Sequence, residues 1–191
     1  MRIGLDCDGV ICDWVGSVIR HLNHYRKTFI PPDFQPPSWD WFKENLSEED
    51  WLWIWRGGCQ TIFAEASPYP GARQFVEELN ELRDIIILTA RPKPVWSTTK
   101  QWWEKNFYPI CPAGFNFFYS GLQKYKVHTD VFIEDNLNYA NAYAHKWLMP
   151  EVFLLDRPWN QGYNEYLNVT RVPNYEAILQ EIKRLKNEST C

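Results

Sequence analysis

The chain has 191 residues and a mass of 22.8 kDa, enough for one well-buried core with a modest insertion. Hydrophobic residues at 45% and charged residues at 23% match ordinary globular usage and exclude a disordered or fibrous architecture. A formal net charge of -4 with no lysine or arginine block argues against duplex nucleic acid as a partner, and leaves a small anionic ligand compatible.

The opening RIGLD is apolar and short, as a buried strand is, and runs into an acidic turn containing Gly9. Apolar residues at Trp14, Val15, Val18, Ile19 and Leu22 then have helical spacing up to about Tyr25. From Phe29 to Tyr69 the pattern changes to a proline-rich stretch, an N-cap-like Ser47 with Asp50 three residues on, an aromatic run and Gly57-Gly58. This stretch reads as an inserted helical cap. Ala72 to Arg83 repeats apolar residues as an amphipathic helix does, and the run after Asp84 reads as a strand ending in Thr89-Ala90-Arg91-Pro92. A helix over Trp96 to Phe107, a short strand near Phe117 to Tyr119, and a strand over Val131 to Ile133 that ends in Glu134-Asp135-Asn136 come next. A helix through Tyr139 to His145, a strand at Val152 to Leu155 and a helix over Tyr175 to Lys186 complete the pattern.

Alternating strands and helices predict an α/β protein with a mostly parallel sheet, whose ligands bind beyond the carboxyl ends of the strands. Asp6, Asp8, Thr89, Glu134 and Asp135 all fall at such ends, so one site can gather them. The first residues read as strand and turn rather than as a signal peptide, and no apolar run approaches membrane-spanning length. A cytoplasmic protein without membrane contact is expected. Five cysteines, Cys7, Cys12, Cys59, Cys111 and Cys191, have no metal-ligand or CxxC spacing and read as reduced packing residues. His21, His24, His128 and His145 are scattered and are assigned to no site.

Asp6 and Asp8 lie two apart on an extended segment, so both side chains leave the same face. Paired carboxylates repel unless a cation compensates, and a hard divalent ion, most often magnesium, answers that need. A carboxylate held in this way can take a phosphoryl group, dividing hydrolysis into two displacements. Asp6 suits the nucleophile, and Asp8 the acid that protonates the departing alkoxide and later deprotonates water. Thr89 and a lysine supply donors for the phosphoryl oxygens. A bare Asp-rich turn or a calcium loop is the competing reading of DxDG, and the missing liganding positions of a calcium loop count against it. Asp13 reads either as support for the cap hinge or as a helix-start acid.

DCDGVICD, LTARP, a lysine before a strand and FIEDN resemble, in order, the four motifs of the haloacid dehalogenase superfamily. The aromatic-rich insertion, PYPGA and DRPWN are similar to its 5'(3')-deoxyribonucleotidase branch, the cytosolic type C 5'-nucleotidases. The resemblance implies a three-layer Rossmann-like α/β core with a parallel sheet (residues 1–14 and 70–191) and a small helical cap (15–69) inserted after the first strand. It implies Asp6 as nucleophile and Asp8 as general acid and base, with Mg2+ bound by Asp6, the Asp8 carbonyl and Asp135. Thr89 and Lys124 would bind phosphate, with Lys126 the reserve lysine. Glu134 departs from the commoner Asp-Asp pair of the branch.

Of eleven tryptophans, with aromatics at 17%, Trp39, Trp41, Trp51, Trp53 and Trp55 crowd one stretch of the insertion, more than packing a small cap requires, and nucleobases stack well on such rings. Trp39, Trp41, Trp53 and Phe63 are the candidates for holding a base. The expected activity is magnesium-dependent hydrolysis of a nucleoside monophosphate through an aspartyl-phosphate. A sugar phosphate or nucleic-acid terminal phosphate as substrate, or a non-catalytic nucleotide-binding protein, are the alternatives. A spare aromatic surface would support a homodimer.

Overall fold

The computed structural model describes residues 1–188; Cys191 lies outside them. Six strands form one sheet: β1 (Arg2–Leu5), β4 (Asp84–Thr89), β5 (Gly114–Phe117), β6 (Val131–Glu134), β7 (Glu151–Leu155) and β8 (Val169–Val172). Their order is β5-β4-β1-β6-β7-β8 and every pairing is parallel. After β1 the chain builds outward to one side, then returns to β6 and builds to the other. The switch in direction lies at β1, the place where such sheets leave a crevice.

Side chains alternate between the two faces. Ile3, Leu5, Ile85, Ile87, Val131 and Ile133 join a core with α5 (Ala72–Leu82), α6 (Trp96–Phe107) and α8 (Tyr175–Glu188). Ile86, Leu88, Phe132, Val152 and Leu154 pack against α7 (Leu137–Lys146) on the opposite face. Three layers follow from this period of two. On α5, Phe75, Val76 and Leu79 are fully buried, at about 1.5–3 kcal/mol each, and Leu79→Ala would forfeit about 2–5 kcal/mol.

Between β1 and α5 the chain forms a short ribbon and four helices. Strand β2 (Cys12–Asp13) pairs antiparallel with β3 (Ser67–Pro68), so departure and return lie side by side. Between them run α1 (Trp14–His21), α2 (Trp41–Asn45), α3 (Glu48–Trp55) and α4 (Cys59–Glu65). The α1 spiral widens into a π-helical turn over Leu22–Arg26 and stops at Lys27, whose φ of 58° is left-handed. Asp13 caps α1 through the Gly16 N–H at 2.9 Å, and Ser47 caps α3 through the Asp50 N–H at 3.1 Å, each worth about 1 kcal/mol. This segment centres on a second core of Trp14, Ile19, Phe42, Ile54, Ile62 and Phe63, which Val95 and Trp159 join from outside it.

Three elements differ from expectation. Strand β5 spans Gly114–Phe117 rather than reaching Tyr119, because its register with β4 ends at Thr89 opposite Phe117. Tyr119 is left exposed. Helix α7 begins at Leu137, capped by the Asn136 side chain on the N–H groups of Asn138 and Tyr139. Strand β8 was not expected: Val169 and Val172 are buried at the sheet edge while Thr170 between them is exposed.

Candidate functional site

The loops after β1, β4 and β6 meet at the carboxyl edge of the sheet. Past β1, the Ile11 and Cys12 N–H groups both donate to the Cys7 carbonyl at 2.9 Å, and Gly9 donates to Cys12 at 3.0 Å, folding DCDGV into a tight loop. Gly9 has a φ of +78°, and a Cβ there would lie 1.9 Å from Asp135 Oδ2. Only glycine permits the β1 and β6 loops to approach this closely. Asp6 is buried, Asp8 partly so, and the Cys7 side chain between them turns back into the core.

Lys124 is buried on a 3-10 turn (Gly121–Lys126). Its Nζ lies 2.9 Å from Asp6 Oδ2 and 2.7 Å from Glu134 Oε2. Lys126 is exposed and donates to Gln123 Oε1 at 2.9 Å, so of the two lysines Lys124 reaches the carboxylates. Burial disfavours its ammonium, yet the Asp6 and Glu134 charges outweigh that and raise its pKa. Glu134, in the position where aspartate is commoner, uses Oε1 to accept the N–H groups of Asp135 and Asn136, both at 3.0 Å. It thus braces the loop after β6 and pairs with Lys124 at once.

Thr89 is buried at the end of β4, its hydroxyl oxygen accepting the Arg91 N–H at 3.3 Å. Arg91, two residues beyond the end of β4, is buried against Asp8. Its Nη2 donates to Asp8 Oδ1 at 2.7 Å and its Nε to Oδ2 at 2.9 Å. The guanidinium also contacts Thr99 Oγ1 and Cys12 Sγ, with the Phe63 ring at 4.7 Å and the Trp102 ring at 5.3 Å. This fork orients the Asp8 carboxylate with a geometry lysine cannot match. Burial pushes the thiols of Cys7 and Cys12 well above the usual range, which keeps them protonated and inert.

Asp6, Glu134 and Asp135 can bring one oxygen each within 4.8 Å of one another. Burial first, and then the Glu134 charge, push Asp6 well above the ordinary aspartate range against the opposing pull of Lys124. Burial also pushes Glu134 and Asp135 up to about 7. Asp135 Oδ2 accepts the Trp159 indole N–H at 2.7 Å, while Oδ1 is buried without a hydrogen-bond partner. Such an oxygen is costly unless something pairs with it. A hard cation fits this donor set: oxygen ligands only, excess negative charge, and one carboxylate oxygen unclaimed by the protein.

Above the carboxylates a cavity of about 960 Å³ reaches Asp6, Asp8, Thr89, Lys124 and Asp135 at its floor. Its walls include Trp14, Trp39, Trp51, Trp55, Phe63, Trp96, Phe117 and Tyr139. Of the four aromatics expected to meet a base, Trp39 and Phe63 line this cavity and Trp41 and Trp53 do not. Trp41 packs on Phe34 and Phe42, and Trp53 covers Gly57 and Gly58 and leans on Tyr25. The signal that separates them is helical phase: on α3, Trp51 and Trp55 are four apart and share a face, whereas Trp53 points away. Asp40 and Lys43 bring charge to the same wall.

Residues 1–187 match the family described as 5' nucleotidase, deoxy (pyrimidine), cytosolic type C protein. A protein of Halalkalibacterium halodurans, provisionally named a nucleotidase, is 30% identical over 162 residues, covering 84% of this chain and 82% of the relative. A second such protein, from Bacillus cereus, is 28% identical over 148 residues, covering 73% and 74%. Among solved structures, a haloacid dehalogenase-like hydrolase of Streptococcus pneumoniae superposes with a TM-score of 0.63 at 14% identity, over 94% of this chain and 97% of that one. The L-2-haloacid dehalogenase of Xanthobacter autotrophicus gives 0.61 at 12% identity, over 95% and 98%. At those identities the two structures attest the fold.

Proposed function

Since the chain belongs to the 5' nucleotidase, deoxy (pyrimidine), cytosolic type C protein family, and is therefore a phosphoric monoester hydrolase, we propose that it releases phosphate from a deoxyribonucleoside monophosphate through an aspartyl-phosphate on Asp6. The observation that carries this reading is Lys124 bridging buried Asp6 and Glu134 at the floor of a cavity walled by aromatic rings. A floor of acids and one lysine suits a phosphoryl group, and the rings above suit a base more than a bare sugar.

In this mechanism an Asp6 oxygen attacks phosphorus as the ester P–O bond breaks, and Asp8 gives its proton to the departing sugar oxygen. Water then attacks the phosphorus of the aspartyl-phosphate, Asp8 takes the proton of that water, and Asp6 leaves as a carboxylate. Lys124 and the Thr89 hydroxyl donate to the phosphoryl oxygens, and the Arg91 fork holds Asp8 in line. Asp6, Asp135 and the Asp8 backbone carbonyl would hold Mg2+, which when bound neutralises charge on the phosphoryl oxygens. The unpartnered Asp135 Oδ1 supports that assignment.

Residues 15–69 act in this reading as a cap on a core of residues 1–14 and 70–191, excluding water from the first step. The paired β2 and β3 at the cap's base and an aromatic core drawn mainly from this segment support the division. A cytoplasmic place of action goes with the family description; among the described residues no helix is long and apolar enough to cross a membrane.

The test is phosphate release from ribo- and deoxyribonucleoside monophosphates and sugar phosphates, with magnesium or chelator, using wild type and Asp6→Asn. Magnesium-dependent release from nucleotides, reduced about 10⁴–10⁶-fold in the variant, is expected. Preference for sugar phosphates would overturn the substrate, and full activity in Asp6→Asn would overturn the covalent mechanism.

A further inference from the structure

The short turn after β7, Arg157 to Asn160, touches both catalytic loops and no part of the mechanism above uses it. Arg157 Nε donates to the Gly9 carbonyl at 2.7 Å, and its guanidinium lies 4.2 Å over the Tyr69 ring. Asn160 Nδ2 donates to the Asp135 carbonyl at 2.6 Å and to the Leu155 carbonyl at 2.8 Å, and Arg171 in turn donates to Asn160. Trp159 sits between these two, buried, with its indole N–H on Asp135 Oδ2 at 2.7 Å. Its ring belongs to the aromatic core of α1–α4 and lies 6.1 Å from Trp39 in the cavity wall.

These contacts divide the work of the Asp135 carboxylate. Oδ2 faces the space that Gly9 leaves open, where a Cβ would come within 1.9 Å, and it accepts the Trp159 indole N–H. Oδ1 takes nothing from the protein. A carboxylate fixed at one oxygen cannot rotate about its terminal bond without breaking a buried hydrogen bond, so the other oxygen stays aimed. Partners of this kind around metal ligands commonly control affinity by one to two orders of magnitude.

We propose that Trp159 is a positioning residue for the cation site: its indole N–H locks Asp135 so that Oδ1 alone is presented to the metal. Because its ring also packs on Trp39, the same residue joins the cation site to the wall that meets the nucleoside. This rests on the assignment of Asp135 as a metal ligand. Phenylalanine keeps a six-membered ring on the side of Trp39 and deletes the donor with the smaller ring of the indole, so Trp159→Phe removes the hydrogen bond while keeping most of the packing.

Calorimetric titration of the substrate-free protein with magnesium, for wild type, Asp135→Asn and Trp159→Phe, tests it without any turnover. Wild type should bind, Asp135→Asn should lose binding, and Trp159→Phe should bind about 10–100-fold more weakly with its circular dichroism unchanged. Equal or tighter binding by Trp159→Phe, with wild type and Asp135→Asn as expected, overturns the proposal alone. Absence of wild-type binding, or full binding by Asp135→Asn, overturns the ligand assignment and this proposal with it. If Trp159→Phe fails to fold, the indole N–H spectrum of wild type decides. The Trp159 proton should shift as magnesium is added, and a stationary signal overturns the proposal.

Discussion

Replacing Lys124 by methionine is the sharpest perturbation of the site, because it keeps the stem and removes the ammonium that bridges the buried carboxylates. The ammonium lies 2.9 Å from Asp6 and 2.7 Å from Glu134, and all three side chains are buried. Deleting one partner of such an arrangement leaves charge uncompensated in the interior, at a cost of about 3–5 kcal/mol. In a domain of this size that corresponds to a fall in Tm of roughly 6–20 °C. The carboxylates have an escape, since protonation removes the charge that Lys124 was balancing. Without Lys124 they hold their protons to higher pH, so the deficit relative to wild type should widen between pH 5.5 and 8. At pH 5.5 it should shrink toward about 1 kcal/mol, the worth of an ordinary hydrogen bond. Urea unfolding in chelator at the two pH values measures this directly. A deficit of the same size at both would refute the electrostatic account and leave only lost packing. In turnover assays the same variant should lose about 10²–10³-fold in kcat, as removal of an oxyanion donor does.

The metal-free protein itself should become less stable as pH rises. Glu134 and Asp135 titrate at about 7 in the folded state against ordinary values of 4.5 and 3.8, so above pH 4–5 the folded chain holds protons the unfolded chain has released. Stability is therefore greatest at the acid end of that window and is lost as pH approaches 7, with a slope of up to about 1.4 kcal/mol per pH unit per proton. Thermal melts in chelator from pH 5 to 8 check the sign, and a Tm that rises across the range would contradict it. Added magnesium should restore most at the alkaline end, where the ligands are ionised. For the cavity wall, Trp39→Ala should raise KM for nucleotides about 5–150-fold, from base stacking of about 1–3 kcal/mol, and leave p-nitrophenyl phosphate nearly unaffected. Trp41→Phe and Trp53→Phe, which touch no part of the cavity, should leave both KM values unchanged.

Much of the site was legible because its acids follow short apolar runs whose strand character is unambiguous, as with Leu5 before Asp6 and Ile133 before Glu134. Parallel pairing of those strands then brings distant motifs together without further information. Lys124 was readable only as one of two candidates, since a 3-10 turn does not repeat often enough to show which side chain faces inward. Arg91 carried no local signal at all: its burial depends on Asp8 and Thr99, which lie on other elements. The edge strand β8 escaped notice because four residues with Thr and Arg between two valines resemble a loop until β7 supplies a partner. Strand β5 was displaced because Gly114 hides its beginning and the aromatic run after it looks more strand-like than the strand does.

The antiparallel pair of β2 and β3 has a consequence for how such chains diversify. Asp13 lies opposite Ser67 and Cys12 opposite Pro68, so the two ends of the helical excursion are already joined by the backbone of the sheet-bearing half. Whatever polypeptide is spliced between them inherits a closed gap, and lengthening it adds only a slowly growing loop-closure cost. The strands that carry the acids keep their own pairing in such an exchange. Exchange at this ribbon would therefore leave the sheet and its strand-end loops in place, as long as the incoming segment again packs on Arg91 and Trp159, as Phe63 and Trp39 do here.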